Sequence, residues 1–177
     1  MKGILLLLFA ISLICCTKKH PTEYFKTTTL DITNSDNSGL APVDAGMNVA
    51  ARSYALKMEF TNQVIGELGD KKSSILDLDD ILSFDVHALE NFDSTHAALR
   101  SLNEYFLVSN GGTPYSTIMS VGNMIGKQSQ RGVTSWAVDQ YLILMKQPDS
   151  LGTYNFVIDI KYSDGRHLTD TTNVNLL

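Results

Sequence analysis

Apolar and polar side chains alternate along most of this chain with a period of two, the mark of strands that bury one face. The clearest run lies towards the C terminus, where Tyr154, Phe156, Ile158, Ile160 and Tyr162 alternate with Thr153, Asn155, Val157, Asp159 and Lys161. Only Val157 breaks the polar face. Ser163-Asp164-Gly165-Arg166 follows, and its Asp-Gly pair tolerates the positive φ of a tight turn. With the return through Leu168, Val174 and Leu176, the stretch 149–177 predicts one hairpin. Tyr54, Leu56, Met58 and Phe60 predict a strand over 53–61. Leu82, Phe84, Val86 and Ala88 predict another with those four side chains inside, and Leu30 with Ile32 predicts a first one over 25–33. Strand character returns within 134–146 through Tyr141, Leu142, Ile143 and Leu144, and Pro148 ends it.

In two places the period changes. Asp93-Ser94 has the chemistry of a helix N-cap, and Leu99, Leu102 and Phe106 recur at i, i+3 and i+7, which predicts a helix over 95–107. Asn110-Gly111-Gly112 and Pro114 stop it. Residues 116–128 read as a second helix through Ile118, Val121 and Ile125, weakened by Gly122 and Gly126. The expected fold is therefore mainly β, with one or two short inserted helices.

A chain of 177 residues with 44% hydrophobic and 19% charged content suits one globular domain. Its formal charge is −5; without Lys2 of the leading segment, 13 basic residues face 19 acidic ones, a balance of −6. That sign repels phosphate backbones, so nucleic acid is not an expected partner. Cys15 and Cys16 are the two cysteines. Nothing beyond them can form a disulfide, a thiolate nucleophile or a Cys-ligated metal centre.

Those cysteines end the stretch MKGILLLLFAISLICC. Lys2 is a short basic region, and the apolar run over 4–14 is too short to cross a bilayer, which takes about 20 residues. It reads as an export signal, without an A-x-A cleavage site. Leu13-Ile14-Cys15-Cys16 resembles the bacterial lipobox, although Cys15 stands where Gly, Ala or Ser is usual. The resemblance implies that Cys16 receives diacylglycerol, becomes the new N terminus and takes further acyl groups such as palmitate. It divides the chain into a signal segment (1–16), a polar tether (17–23) and a single sandwich domain (24–177). Thr17 after the acceptor, where Asp would retain the protein in the inner membrane, implies passage to the outer membrane. The missing acidic cluster implies a periplasm-facing domain.

Candidate chemistry is sparse. Asn34, Asp36 and Ser38 offer oxygens at alternate positions before Gly39, as a calcium loop does, but Ala45 occupies the twelfth position where a bidentate Glu is required. Asp85 and His87 share the outer face of their predicted strand just after Asp77, Asp79 and Asp80. These are metal-ligand types, yet a charge run beside a strand is also what a solvated face looks like, and no metal or other cofactor is expected. His96, in the first turn of a predicted helix, is expected neutral at the surface. Ser94, Thr95 and His96 include a nucleophile and a base, but neighbours on a helix face different directions. No HExxH, G-x-S-x-G, P-loop or dinucleotide fingerprint occurs. A non-catalytic module is expected; the alternative is a hydrolase of envelope polymers using Asp85 with Asp79 as its acid and base.

Ser150-x-Gly152-x-Tyr154-x-Phe156 resembles the tyrosine corner of immunoglobulin-like sandwiches, with Phe156 where antibody domains place their second cysteine. Trp136 lies too close to Tyr154 to be the core Trp of strand C in such a domain. With the lipobox, the chain resembles cell-envelope lipoproteins of Bacteroidota that carry an immunoglobulin-like domain. That implies a protein held to the membrane by the lipid on Cys16 and binding or scaffolding an envelope protein or glycan.

Overall fold

The computed structural model describes residues 22–65, 74–77, 79–110, 118–127 and 139–177. The signal segment, Cys16, the tether before Thr22, Gly111, Pro114 and Trp136 lie outside them. The strands in chain order are β1 (Thr22–Asp36), β2 (Val43–Asp44), β3 (Asn48–Val49), β4 (Tyr54–Ile65), β5 (Ser74–Asp77) and β6 (Asp80–Ala88). They continue with β7 (Phe106–Asn110), β8 (Ile118–Ser120), β9 (Gly126–Lys127), β10 (Gln140–Leu144), β11 (Gly152–Tyr162) and β12 (His167–Leu176). One sheet has the order β2-β1-β4-β10-β7-β8, with β5 beside the start of β1; the other has the order β3-β12-β11-β6-β9. Lettered A to G, the principal strands β1, β4, β6, β7, β10, β11 and β12 form the sheets ABED and GFC. The two sheets form a β-sandwich, and this strand order is the one found in constant-type immunoglobulin domains.

The core lies where the inward faces of both sheets meet. Tyr54, Leu56 and Met58 from β4 are buried against Phe156, Ile158 and Ile160 from β11. Phe156 stands two residues after the corner tyrosine, the position of the second cysteine in antibody domains, and its ring bridges the sheets: it stacks on Tyr54 at 5.3 Å and meets Phe106 edge-on at 5.9 Å. The tyrosine corner forms as expected. Tyr154 Oη donates to Ser150 O at 2.6 Å, and Gly152 holds φ +146 at the entry to β11. Gly165, at φ +88, makes the β11–β12 turn.

Two expectations are corrected. Helical structure among the described residues is confined to the 3-10 turns Ala51–Ser53, Asn103–Tyr105 and Val121–Met124, with no helix of seven residues or more. Over 95–107 the N-cap chemistry is present, since Asp93 Oδ1 accepts from Thr95 N at 2.8 Å and His96 N at 2.7 Å. No helix follows, because the chain is used to cover the outer edge of β6. Leu99 N donates to Ala88 O and Leu102 N to Val86 O. The Asn103 amide then substitutes for a peptide unit, donating to Phe84 O at 2.7 Å and accepting from Val86 N at 2.8 Å. Within 116–128 the same stretch divides between β8, a 3-10 turn and β9.

The second correction is local. Leu82 was expected inside, but it is 61% exposed and Ile81 is buried in its place. Lys161 pairs with Ser83 and Tyr162 with Ile81, so Leu82 is the extra residue of a β-bulge, and the inward face shifts by one there.

Candidate functional site

The densest polar cluster links the connection 89–105 to the start of 145–151. Asp93 is buried beneath it. Its Oδ1 accepts from Thr95 Oγ1 at 2.8 Å and lies 2.9 Å from His96 Nδ1, while its Oδ2 accepts from Lys146 Nζ at 2.6 Å. Lys146 also donates to Tyr105 Oη at 3.0 Å and stands 4.5 Å from the centre of that ring. The Lys146 ammonium, with hydrogen bonds from His96 and Thr95, holds the Asp93 carboxyl well below the usual carboxylate range. Asp93, with Tyr105 behind it, raises Lys146 in return.

His96 is therefore not a surface residue as expected. It is buried, its Nδ1 within reach of Asp93, Thr95 (2.9 Å) and Tyr105 (3.1 Å), and its Nε2 2.9 Å from Glu104 Oε1. Without the helix, Thr95 and His96 do meet. The pair is nevertheless committed: both ring nitrogens face carboxylates, and Thr95 Oγ1 donates to Asp93. The cluster is suited to pinning two connections together.

The carboxylates of the hydrolase alternative do not converge. Asp79 is buried, accepting from Arg166 Nη2 at 2.5 Å and from Thr27 N at 3.0 Å. Asp85 lies six residues along, about 20 Å at strand rise, beyond the roughly 5–9.5 Å at which paired carboxylates flank a glycosidic bond. Asp85 instead faces Asp159 across the outer side of GFC. Like charges so placed repel, and each has its own histidine: His87 Nδ1 is 3.2 Å from Asp85, and His167 Nε2 is 2.7 Å from Asp159. Ser101 Oγ also donates to Asp85. Among the described residues no group of three or more His, Cys, Asp or Glu is arranged to hold a metal ion. The oxygens of the suspected calcium loop have other uses. Asn34 Oδ1 accepts from Tyr54 Oη at 2.9 Å inside the core, and Asp36 Oδ1 accepts from Ser38 N in a local turn.

Sequence reasoning missed the Asp93–Lys146 pair, whose partners are 53 residues apart. Lys146 directly after an apolar strand was the one signal in the sequence. Compared with known families, curated proteins and solved structures, the chain has no match in any of the three. The class that the fold defines is a β-sandwich, with the strand order of an immunoglobulin-like domain.

Proposed function

We propose that the chain is a lipid-anchored protein of the cell envelope whose sandwich binds or scaffolds another envelope component, a protein or a glycan. The observation that carries this reading is the N-terminal stretch MKGILLLLFAISLICC, with its apolar run over 4–14 followed directly by Cys15-Cys16. Thr17 after the acceptor supports the outer membrane as the destination, and the lack of an acidic cluster behind it favours the periplasmic face. The committed state of His96, Asp79 and Asp85 supports a module without reaction chemistry of its own. Labelling cells with an alkyne fatty acid tests the anchor. The parent chain and Cys15→Ala should incorporate label, since Ala suits the position before an acceptor, and Cys16→Ala should lose it and accumulate as precursor or soluble protein. Label retained on Cys16→Ala would overturn the assignment.

A further inference from the structure

β1 opens at Thr22 beside the β11–β12 hairpin turn, where Lys26 pairs with Asp164 at 2.7 Å. β12 starts from that turn at His167, runs parallel to β1 and finishes at Leu176, at the other end of the sandwich. A pull on Thr22 directed away from a point held at Leu177 therefore acts along both strands and slides one past the other. Both are gripped on two sides where such a pull enters. Tyr24 pairs with Ile65 of β4 and Leu76 of β5, and Phe25 with Val64 and Asp77. At the opposite end Asn175 pairs with Thr153 of β11 and Asn48 of β3, and Leu176 with Gly152 and Val49. The grip extends one residue further, since Leu177 N donates to Val49 O at 3.0 Å and Leu177 O accepts from Ala51 N at 3.1 Å. The outermost residues of a domain fray unless they are tied down. These are tied on both edges.

Direction decides the resistance. The hydrogen bonds of an antiparallel ladder lie across the strands, so sliding a strand along its axis strains every rung together, whereas peeling it from one end breaks the rungs one at a time. β1 is paired with β4 from Tyr24 to Asp36, with a bulge between Thr27 and Thr29, and β12 with β11 from His167 to Leu176. Where β1 and β12 meet, further links cross the same sliding plane. Lys26 pairs with Asp164, Asp170 Oδ2 accepts from Ile32 N at 2.7 Å, and Asn34 Nδ2 donates to Asn173 O at 2.9 Å. All of these bonds share a load along the strands.

We infer that the sandwich carries tension along β1 and β12, from its N-terminal attachment to a load at the opposite end. The lipid-anchored reading supplies the point where that load enters; the direction-dependent resistance follows from the strands alone. Optical tweezers test it on the full chain, produced without acylation and held in detergent. In a Cys15→Ala chain, handles attached through Cys16 and Leu177→Cys slide β1 against β12. In a Cys15→Ala, Cys16→Ser chain, handles at Leu151→Cys and Leu177→Cys peel β11 from β12, starting at the Gly152–Leu176 pair. At one loading rate, sliding should need about twofold the force of peeling or more, because forced unfolding follows the barrier along the direction pulled. Asp170→Leu should lower the sliding force and leave the peeling force in place, a split that a general loss of stability would not give. Lys26→Met, which removes only the link to Asp164, should give the same split on a smaller scale. Equal forces in the two geometries, or variants that weaken both or neither, would overturn the inference. Fatty-acid label on cells reports the anchor separately. Label with equal forces defeats the tension path alone; unequal forces without label defeat the anchored reading alone.

Discussion

Phe156 occupies a cysteine position, and its ring supplies by packing the inter-sheet link that antibody domains make covalently. Phe156→Ala removes the ring that touches Tyr54, Tyr154, Phe92 and Phe106 and leaves a cavity, at a cost of about 3–5 kcal/mol. Tyr154→Phe keeps the neighbouring ring and loses only the bond to Ser150 O, about 1–2 kcal/mol. Gly152→Ala meets no atom within 4 Å, so its cost is backbone strain at a φ that glycine alone adopts readily, about 1–3 kcal/mol. Against a total of roughly 5–15 kcal/mol, urea midpoints should fall furthest for Phe156→Ala. A Tyr154→Phe domain as stable as the parent would show that the corner bond contributes nothing. Acid should act through two other residues. Lys26, and after it Arg166, lower Asp164 from 3.8 to about 2, and Lys146 lowers Asp93 as well. A lowered folded-state value stabilises above the unfolded-state value and is lost as the carboxylate takes up its proton. The melting temperature should therefore hold down to about pH 5 and fall between about pH 4 and pH 2. Lys26→Met should flatten part of that fall, and an unchanged acid limb would remove Lys26 from the account.

The elements show what periodicity can and cannot deliver. Strands β4 and β11 were legible because one face is apolar over most of their length and the other is mostly polar, and β12 because the Asp164-Gly165 turn returns the chain through Leu168, Val174 and Leu176. The 95–107 stretch was not. Leu102 and Phe106 are indeed buried and Leu99 is exposed, so the i, i+3, i+7 spacing reflected a loop crossing the core edge. The open backbone groups of β6 took precedence over helix propensity, and no local signal announces which edge a loop will cover. Leu82 failed for a similar reason, because a bulge is set by the partner strand. That gives a direct test. Leu82→Thr should change stability by less than about 0.5 kcal/mol, whereas Ile81→Ala should cost about 2–5 kcal/mol. Chemical denaturation of the two variants would decide, and the reverse order would restore the unbulged register. The polar cluster was only half legible: the Asp93 cap was visible in sequence, while its pairing with Lys146 depends on how the connections 89–105 and 145–151 meet.

At the scale of the whole molecule, the sandwich must close the seam where β1 and β12 run side by side. The two strands are parallel there and share no backbone ladder, since Thr27 lies near Arg166, Ile32 near Asp170 and Asn34 near Asn173. Side chains bridge the gap. Arg166 donates to Thr27 O, Asn34 Nδ2 donates to Asn173 O at 2.9 Å, and Asp170 serves both edges at once. Its Oδ2 accepts from Ile32 N at 2.7 Å and its Oδ1 from Thr171 N at 2.8 Å. Unpaired strand edges are templates for association with other chains, so this carboxylate also protects the molecule from its neighbours. Asp170→Asn keeps one acceptor oxygen and releases one of the two N–H groups, costing about 1–2 kcal/mol. Asp170→Leu releases both. Hydrogen exchange separates a local effect from a global one: in Asp170→Leu the Ile32 amide should exchange much faster, while β1 amides directed at β4 keep most of their protection. If Ile32 exchanged no faster in that variant, the seam would owe nothing to Asp170, and the closure of the sandwich would rest on Arg166 and Asn34.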